Sequence, residues 1–187
     1  MFLRKMLFDD LQIIFSWRNH PEIRKNMYTH HEITWDEHIA WFERISADTS
    51  CRYFVYVVDE ALQGVVNFTE ISQTHRNAFW GFYSNPAAPK GTGIEMEYLA
   101  LNMAFEEIGM HKLNCEVIAF NQAVINMHIK VGFLLEGAFR DFHFDGERYH
   151  DVVRLGMLQS EWSSYHKLGL WARIQKRREK ITVVEKS

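Results

Sequence analysis

The spacing of hydrophobic and polar positions changes several times along this 187-residue chain, and each change marks an element. Phe2 to Phe8 reads as a short strand. Asp9 and Asp10 then cap a helix carrying Leu11, Ile14, Phe15 and Arg18 at helical spacing, with Pro21 after its end. Pro21-Glu22-Ile23 opens a second short helical turn. Thr34-Trp35-Asp36-Glu37 is a capping-box pattern, in which the Thr hydroxyl and the Glu carboxylate satisfy free amides at a helix start. The helix that follows puts Ile39, Trp41, Phe42 and Ile45 largely on one side.

From Cys51 the period shortens to that of strands. Arg52 to Val58, Gly64 to Ile71 and Asn77 to Ser84 are three strands separated by polar turns, and they predict an antiparallel meander. A Pro/Gly loop, Asn85 to Gly93, leads into a long helix with Met96, Leu99, Ala100, Met103 and Ala104 on one face, ending near Gly109. Then come a strand (Leu113 to Phe120), a helix (Ala123 to Val131) and a hairpin: Leu134 to Phe144, the turn Asp145-Gly146, and Tyr149 to Leu158. The stretch from Trp162 reads as helical and ends in the basic run Lys176-Arg177-Arg178-Glu179-Lys180, which is expected to be a solvated helix end. This order predicts one α/β (α+β) domain over residues 1–160, with a mixed, mostly antiparallel sheet and helices on both faces. Residues 161–187 form a C-terminal helical extension.

Composition narrows the class. With 47% hydrophobic and 24% charged residues and only 3 Pro, the chain is neither disordered nor of low complexity. Lys+Arg 21 against Asp+Glu 24 gives a net charge of −3, without the basic excess of a protein that grips nucleic-acid phosphates. No apolar run reaches the roughly 18 residues of a membrane span, and charges sit where a signal peptide would be apolar. Cys51 and Cys115 read as buried thiols in a reducing compartment. A cytoplasmic protein without nucleic-acid or membrane partners is expected.

Two segments carry candidate chemistry. In Pro89-Lys90-Gly91-Thr92-Gly93 a loop opens a helix, so several amides and the positive end of the helix dipole converge on one point, which suits a diphosphate. It is no Walker A loop, because Ile94-Glu95 stands where Lys-Ser/Thr is required, and the third glycine of a dinucleotide fingerprint is absent. In Asn121 to Phe133, Asn121 is a helix cap, Gly132 a terminator, and Asn126 and His128 are polar groups in an apolar unit. The 10 His residues show no metal-ligand spacing, and no metal is expected. Neither a nucleophile elbow nor a reactive cysteine setting is visible.

Together these segments resemble the GNAT superfamily of acetyl-CoA-dependent N-acetyltransferases, and the element order matches across nearly the whole chain. Gly91-Thr92-Gly93 resembles its acetyl-CoA diphosphate loop, and Asn121 through Gly132-Phe133 its second signature. Two positions depart: Ala88 stands where the loop usually opens with Gln or Arg, and His128 where many members carry a Tyr general acid. Trp17-Arg18-Asn19-His20-Pro21, Met27-Tyr28, the Trp35-to-Phe42 helix and Gly64-Val65-Val66-Asn67-Phe68-Thr69 are similar to one subgroup. That subgroup acetylates UDP-4-amino-4,6-dideoxy-N-acetyl-β-L-altrosamine in pseudaminic acid biosynthesis, which supplies flagellin glycosylation.

The resemblance implies a GNAT-like acyl-CoA N-acyltransferase fold and acetyl transfer from acetyl-CoA to the 4-amino group of such a UDP-amino sugar. It implies that Lys90, Gly91, Thr92, Gly93 and Ile94 hold the diphosphate, mainly through amides, and that Phe82 and Tyr83 pair their main chain with the pantetheine arm. Asn121, Asn126 and His128 line the thiol end, with His128 the acid for the leaving thiolate. Arg18, Asn19, Tyr28, Thr69 and Phe79 face the acceptor; plain core packing is the competing reading for Tyr28 and Phe79. Asn67 sits at the reactive position but accepts no proton at neutral pH, so a water it holds is the expected proton carrier. A homodimer is left open. The competing functions are a GNAT enzyme acting on a ribosomal-protein N-terminus or other amine, and a non-catalytic acyl-CoA-binding module.

Overall fold

The computed structural model describes residues 1–162 and 164–184. Of the extension expected over 161–187, residues 163 and 185–187 lie outside the described residues, as do the side chains of 164, 165 and 180–184. Seven strands, β1 (Phe2–Lys5), β2 (Arg52–Val58), β3 (Ala61–Ser72), β4 (Asn77–Ser84), β5 (Lys112–Ile118), β6 (Leu134–Phe144) and β7 (Tyr149–Leu158), form one sheet in the order β1-β2-β3-β4-β5-β7-β6. Every neighbouring pair is antiparallel except β4 with β5. The helices are α1 (Leu11–Asn19), α2 (Pro21–Arg24), α3 (Trp35–Ala47), α4 (Thr92–Asn102), α5 (Gln122–Val131) and α6 (Ser164–Val184). None among the described residues is long and apolar enough to cross a membrane.

Strand alternation builds two cores from one sheet, because successive side chains point to opposite faces. Tyr56, Val66, Phe68, Ala78, Trp80, Leu113 and Cys115 turn one way and join Met96, Ile125, Phe133, Leu170 and Ile174. Val55, Val57 and Val65 turn the other way, onto Leu11, Ile14 and Trp17 of α1. Helices α4, α5 and α6 thus cover one face, and α1 and α3 the other.

Most elements follow the sequence pattern, and α3 starts on the expected capping box: Thr34 accepts from the Glu37 amide at 3.2 Å, while Glu37 accepts from the Thr34 amide at 2.6 Å. Four expectations need correction. The first strand ends at Lys5, and Phe8–Asp10 is a 3₁₀ turn. Asp10 does not cap α1 but turns back to the Leu7 amide at 2.8 Å and to both terminal nitrogens of Arg4 at 2.7 Å. Strand β3 starts at Ala61, ahead of Gly64, because Asp59 and Glu60 both adopt left-handed φ (47° and 67°) and make a two-residue turn. The fourth helix is α-helical only to Asn102, with a π-helical segment over Met103–Glu107.

Candidate active site

The parallel pair at the centre of the sheet sets the site. Strands β4 and β5 are joined only at Asn77↔Lys112, Ala78↔Leu113 and Phe79↔Asn114. Beyond that point Trp80 to Ser84 pairs only with β3, and Cys115 to Ile118 only with β7. The sheet therefore opens into a V. Asn114 Nδ2 marks its apex, donating to the Ala78 carbonyl at 3.1 Å where the ladder ends. Above it, the inner edge of β4 presents main-chain groups without ladder partners, suited to an extended amide-bearing ligand.

The glycine loop lies on the α4 side of this opening. Thr92 does not offer its hydroxyl to a ligand: Oγ1 donates to the Pro89 carbonyl at 2.7 Å, and the Thr92 amide donates to the same oxygen at 3.2 Å. The amides of Ile94 and Glu95 turn to the Gly91 carbonyl. The loop's own hydrogen bonds thus leave the amides of Lys90, Gly91 and Gly93. Gly91 has φ +93°, a conformation that disfavours a side chain. A Cβ on Gly93 would lie 3.2 Å from both Met127 Sδ of α5 and Phe82 Cε2 of β4, so glycine lets the loop sit against the strand edge. A diphosphate fits this arrangement, with Gly93 closest to the opening.

Of the thiol-end candidates, only His128 is enclosed on this face. Its Nδ1 is 2.6 Å from Glu97 Oε1, with side-chain exposures of 2% and 0%. Trp80, Phe82 and Phe133 surround the imidazole, with ring centroids 5.3, 6.0 and 5.3 Å away. Glu97 Oε2 has no hydrogen-bond partner. Asn126 is exposed on the opposite side of α5, as a two-residue offset on a helix requires, and does not reach His128. Asn121 caps α5, accepting from the Val124 amide at 3.4 Å. The Cys115 thiol is pushed far up by burial and then by Glu97, so it is no nucleophile.

The other face gathers the acceptor candidates. Cross-strand partners share a face, so Asn67↔Gly81 and Thr69↔Phe79 place Asn67, Thr69 and Phe79 together. Asn67 Oδ1 lies 3.2 Å from where a Gly81 Cβ would stand, so the glycine makes room for that amide. The guanidinium of Arg154 on β7 lies 4.3 Å above the Phe79 ring. Arg154 Nη2 donates to Glu116 Oε1 at 2.6 Å, and Tyr28 OH donates to Glu116 Oε2 at 2.9 Å. Burial, followed by that bond, raises the Tyr28 phenol. Arg18 and Asn19 organise the segment carrying Tyr28. Arg18 Nη2 donates to the Thr29 carbonyl at 2.7 Å, and the Asn19 side chain exchanges two 2.9 Å bonds with the Ile33 main chain. Arg18 Nη1 is buried without a partner, and burial lowers the pKa of this guanidinium. Tyr83 packs on the α1 side, whereas Phe82 faces His128.

Glu97, Glu116 and Arg154 were not singled out from sequence. The one signal was Glu97 itself, an acid beside Met96 on the apolar stretch of α4; Glu116 and Arg154 become neighbours only through the β5–β7 register. Among the described residues no group of three or more His, Cys, Asp or Glu side chains is arranged to hold a metal ion.

The sequence profile of the Acetyltransferase (GNAT) domain matches residues 1–134. The acetyltransferase PseH of Campylobacter jejuni (strain 81-176) is 29% identical over 134 residues, covering 72% of this chain and 83% of that protein. The spermidine N(1)-acetyltransferase of Escherichia coli K12 is 25% identical over 166 residues, or 88% of this chain and 89% of that one. The crystal structure of a Vibrio cholerae spermidine N-acetyltransferase in complex with CoA and spermine superimposes with a TM-score of 0.79 at 27% identity. It covers 85% of this chain and 95% of its own.

Proposed function

Since the chain belongs to the GNAT acetyltransferase family, and is an N-acetyltransferase using acetyl-CoA, we propose that its acceptor is the 4-amino group of a UDP-linked 4-amino-4,6-dideoxy sugar. UDP-4-amino-4,6-dideoxy-N-acetyl-β-L-altrosamine, of pseudaminic acid biosynthesis in the cytoplasm, is the compound named by the N-terminal resemblance. Relatives bearing the name PseH support that choice. The observation that carries it against a polyamine is the state of Glu116. A spermidine-like cation needs an open carboxylate, and here Arg154 takes one oxygen and Tyr28 the other. Phe79 instead offers an aromatic wall that fits a uracil ring, and Arg154, whose Nε and Nη2 are on Glu116, keeps Nη1 for a diphosphate.

The chemistry asks little of the protein beyond placement in line through the split. The unpaired edge of β4 around Phe82 and Tyr83 supplies an amide donor to the oxyanion that forms as the amine attacks. A water held by Asn67 relays the amine's proton to solvent. His128 in its imidazolium form, held at Nδ1 by Glu97, donates its Nε2 proton to the departing thiolate. Arg18 and Asn19 act on the acceptor by holding the Tyr28 segment over it.

The test is acetyl-CoA turnover on the UDP-4-amino sugar, spermidine and a basic ribosomal-type peptide side by side. The sugar is expected to give the highest kcat/KM. A preference for spermidine, the acceptor suggested by the likeness to spermidine acetyltransferases, overturns the assignment; so does a preference for the peptide.

A further inference from the structure

The basic run near the C-terminus, expected to be a solvated helix end, is partly packed. Helix α6 is anchored in the core by Leu170 and Ile174 and by Trp171, which stacks on Tyr98 with centroids 5.1 Å apart. One turn beyond Ile174, on the same side of the helix, comes Arg177. Its guanidinium lies against the glycine loop: a Cβ on Gly91 would stand 2.5 Å from Arg177 Cζ and Nε. Arg177 Nη1 donates to Glu95 Oε1 at 2.9 Å, and Arg178 Nη1 lies 3.3 Å from Glu95 Oε2, which also accepts from Tyr56 OH. Arg177 and Arg178 lie beyond the span of the GNAT domain match.

Glu95 explains why cations are needed here. It sits in the first turn of α4, with a side chain only 6% exposed, beside the amides that would receive a diphosphate. A carboxylate there repels an anion and offsets the helix dipole. Two guanidinium groups over one carboxylate restore a net positive charge. With Nη1 on Glu95, Arg177 keeps further N–H donors in its rigid fork, next to the free amides of the loop.

We propose that Arg177 is a ligand of the diphosphate of acetyl-CoA, oriented by Glu95 and delivered by the C-terminal helix. This rests on the donor-site reading above. Titration calorimetry of wild type and Arg177→Gln with CoA, 3′-dephospho-CoA and pantetheine tests it. Arg177→Gln should weaken CoA and 3′-dephospho-CoA about tenfold, the size of a lost charge-assisted hydrogen bond, and leave pantetheine unchanged. Arg177→Lys should recover part of the loss. Arg178→Gln, which also removes a cation from Glu95 but not the contact on Gly91, should bind CoA within about twofold of wild type.

Tighter CoA binding by Arg177→Gln would make the arginine an obstruction and overturn the proposal. A loss confined to CoA would mean that the ribose phosphate is read instead, and equal losses for all three ligands with a lower Tm would mean a structural ion pair; both overturn it. If wild type binds pantetheine as tightly as CoA, the donor-site reading itself fails, which is distinct from a failure of Arg177 alone.

Discussion

Glu97 Oε1 lies 2.6 Å from His128 Nδ1, and neither side chain is more than 2% exposed. A carboxylate is rarely buried to this degree without a partner, and here the partner is a single imidazole. Bonded to Nδ1, Glu97 orients the ring; the acid role proposed above requires the imidazolium, in which Nε2 carries a proton of its own. The rings of Trp80, Phe82 and Phe133 surround the imidazole.

Glu97→Gln keeps the shape of the side chain but removes its charge. Its kcat should fall at least about tenfold, with the KM for acetyl-CoA little changed, since proton transfer by a positioned group contributes roughly 10²–10⁴-fold. His128→Gln should show the same pattern, and the double variant should lose little more than either single one. Steady-state kinetics with chemistry shown to be rate-limiting checks this; wild-type kcat in Glu97→Gln would exclude the pair from turnover.

Gly91→Ala places a side chain at φ +93° and into the Arg177 guanidinium. Backbone strain of about 1 kcal/mol should lower Tm by roughly 2–4 °C in a chain of this size. The KM for acetyl-CoA should rise as well. An unchanged KM together with the expected Tm loss would separate the glycine's conformational role from any donor role.

Asn19→Ala removes both bonds that hold the Ile33 main chain. Stability should drop by about 1–2 kcal/mol. The segment between α2 and α3 should become more sensitive to limited proteolysis. Acceptor KM should rise while acetyl-CoA KM holds. Intact resistance to cleavage would show that the segment is fixed by other contacts.

Asp10 carries a pH signature. Burial pushes its carboxyl pKa up, but the bonds from Arg4 and from the Leu7 amide outweigh burial and hold it below the usual value of 3.8. A depressed folded-state pKa gives stability that is present above the unfolded value and is lost as pH falls through the folded one. Asp10→Asn should therefore be less stable than wild type at pH 7, and the gap should narrow as pH drops below about 4. Denaturant melts across that range measure it, and a gap independent of pH would mean that the ion pair contributes nothing.

Local signals carried most of the fold. The Thr34–Glu37 box, the meander and the helix opened by Gly91 depend on residues a few positions apart, and the sequence pattern reads them correctly. The pattern runs the first strand on to Phe8, whereas Asp10 satisfies Arg4 across a turn, a choice made by tertiary packing. On the candidate site, Gly91, Gly93 and His128 stood out as polar or permissive residues in apolar surroundings. Glu116 with Arg154, and Arg177 with Glu95, did not, because each pair joins segments distant in sequence and is set by strand register or helix docking. Asn126 and His128 are close along the chain, but a two-residue offset on a helix puts them on opposite sides.

Strand β4 serves both sides of the sheet, with Trp80 and Phe82 turned toward His128, the side proposed for the thioester, and Phe79 and Gly81 toward Asn67, the side proposed for the amine. Odd and even positions on one strand can therefore accumulate substitutions independently. On the acceptor assignment proposed above, changes at Asn67, Thr69, Phe79 or Glu116 would retune which amine is accepted without touching the residues packed around His128. A single-residue insertion or deletion in β4 has no such freedom. It would exchange the two sets at once, so descent with altered specificity in this chain is expected to proceed by replacement along β3 and β4 and to leave their lengths fixed.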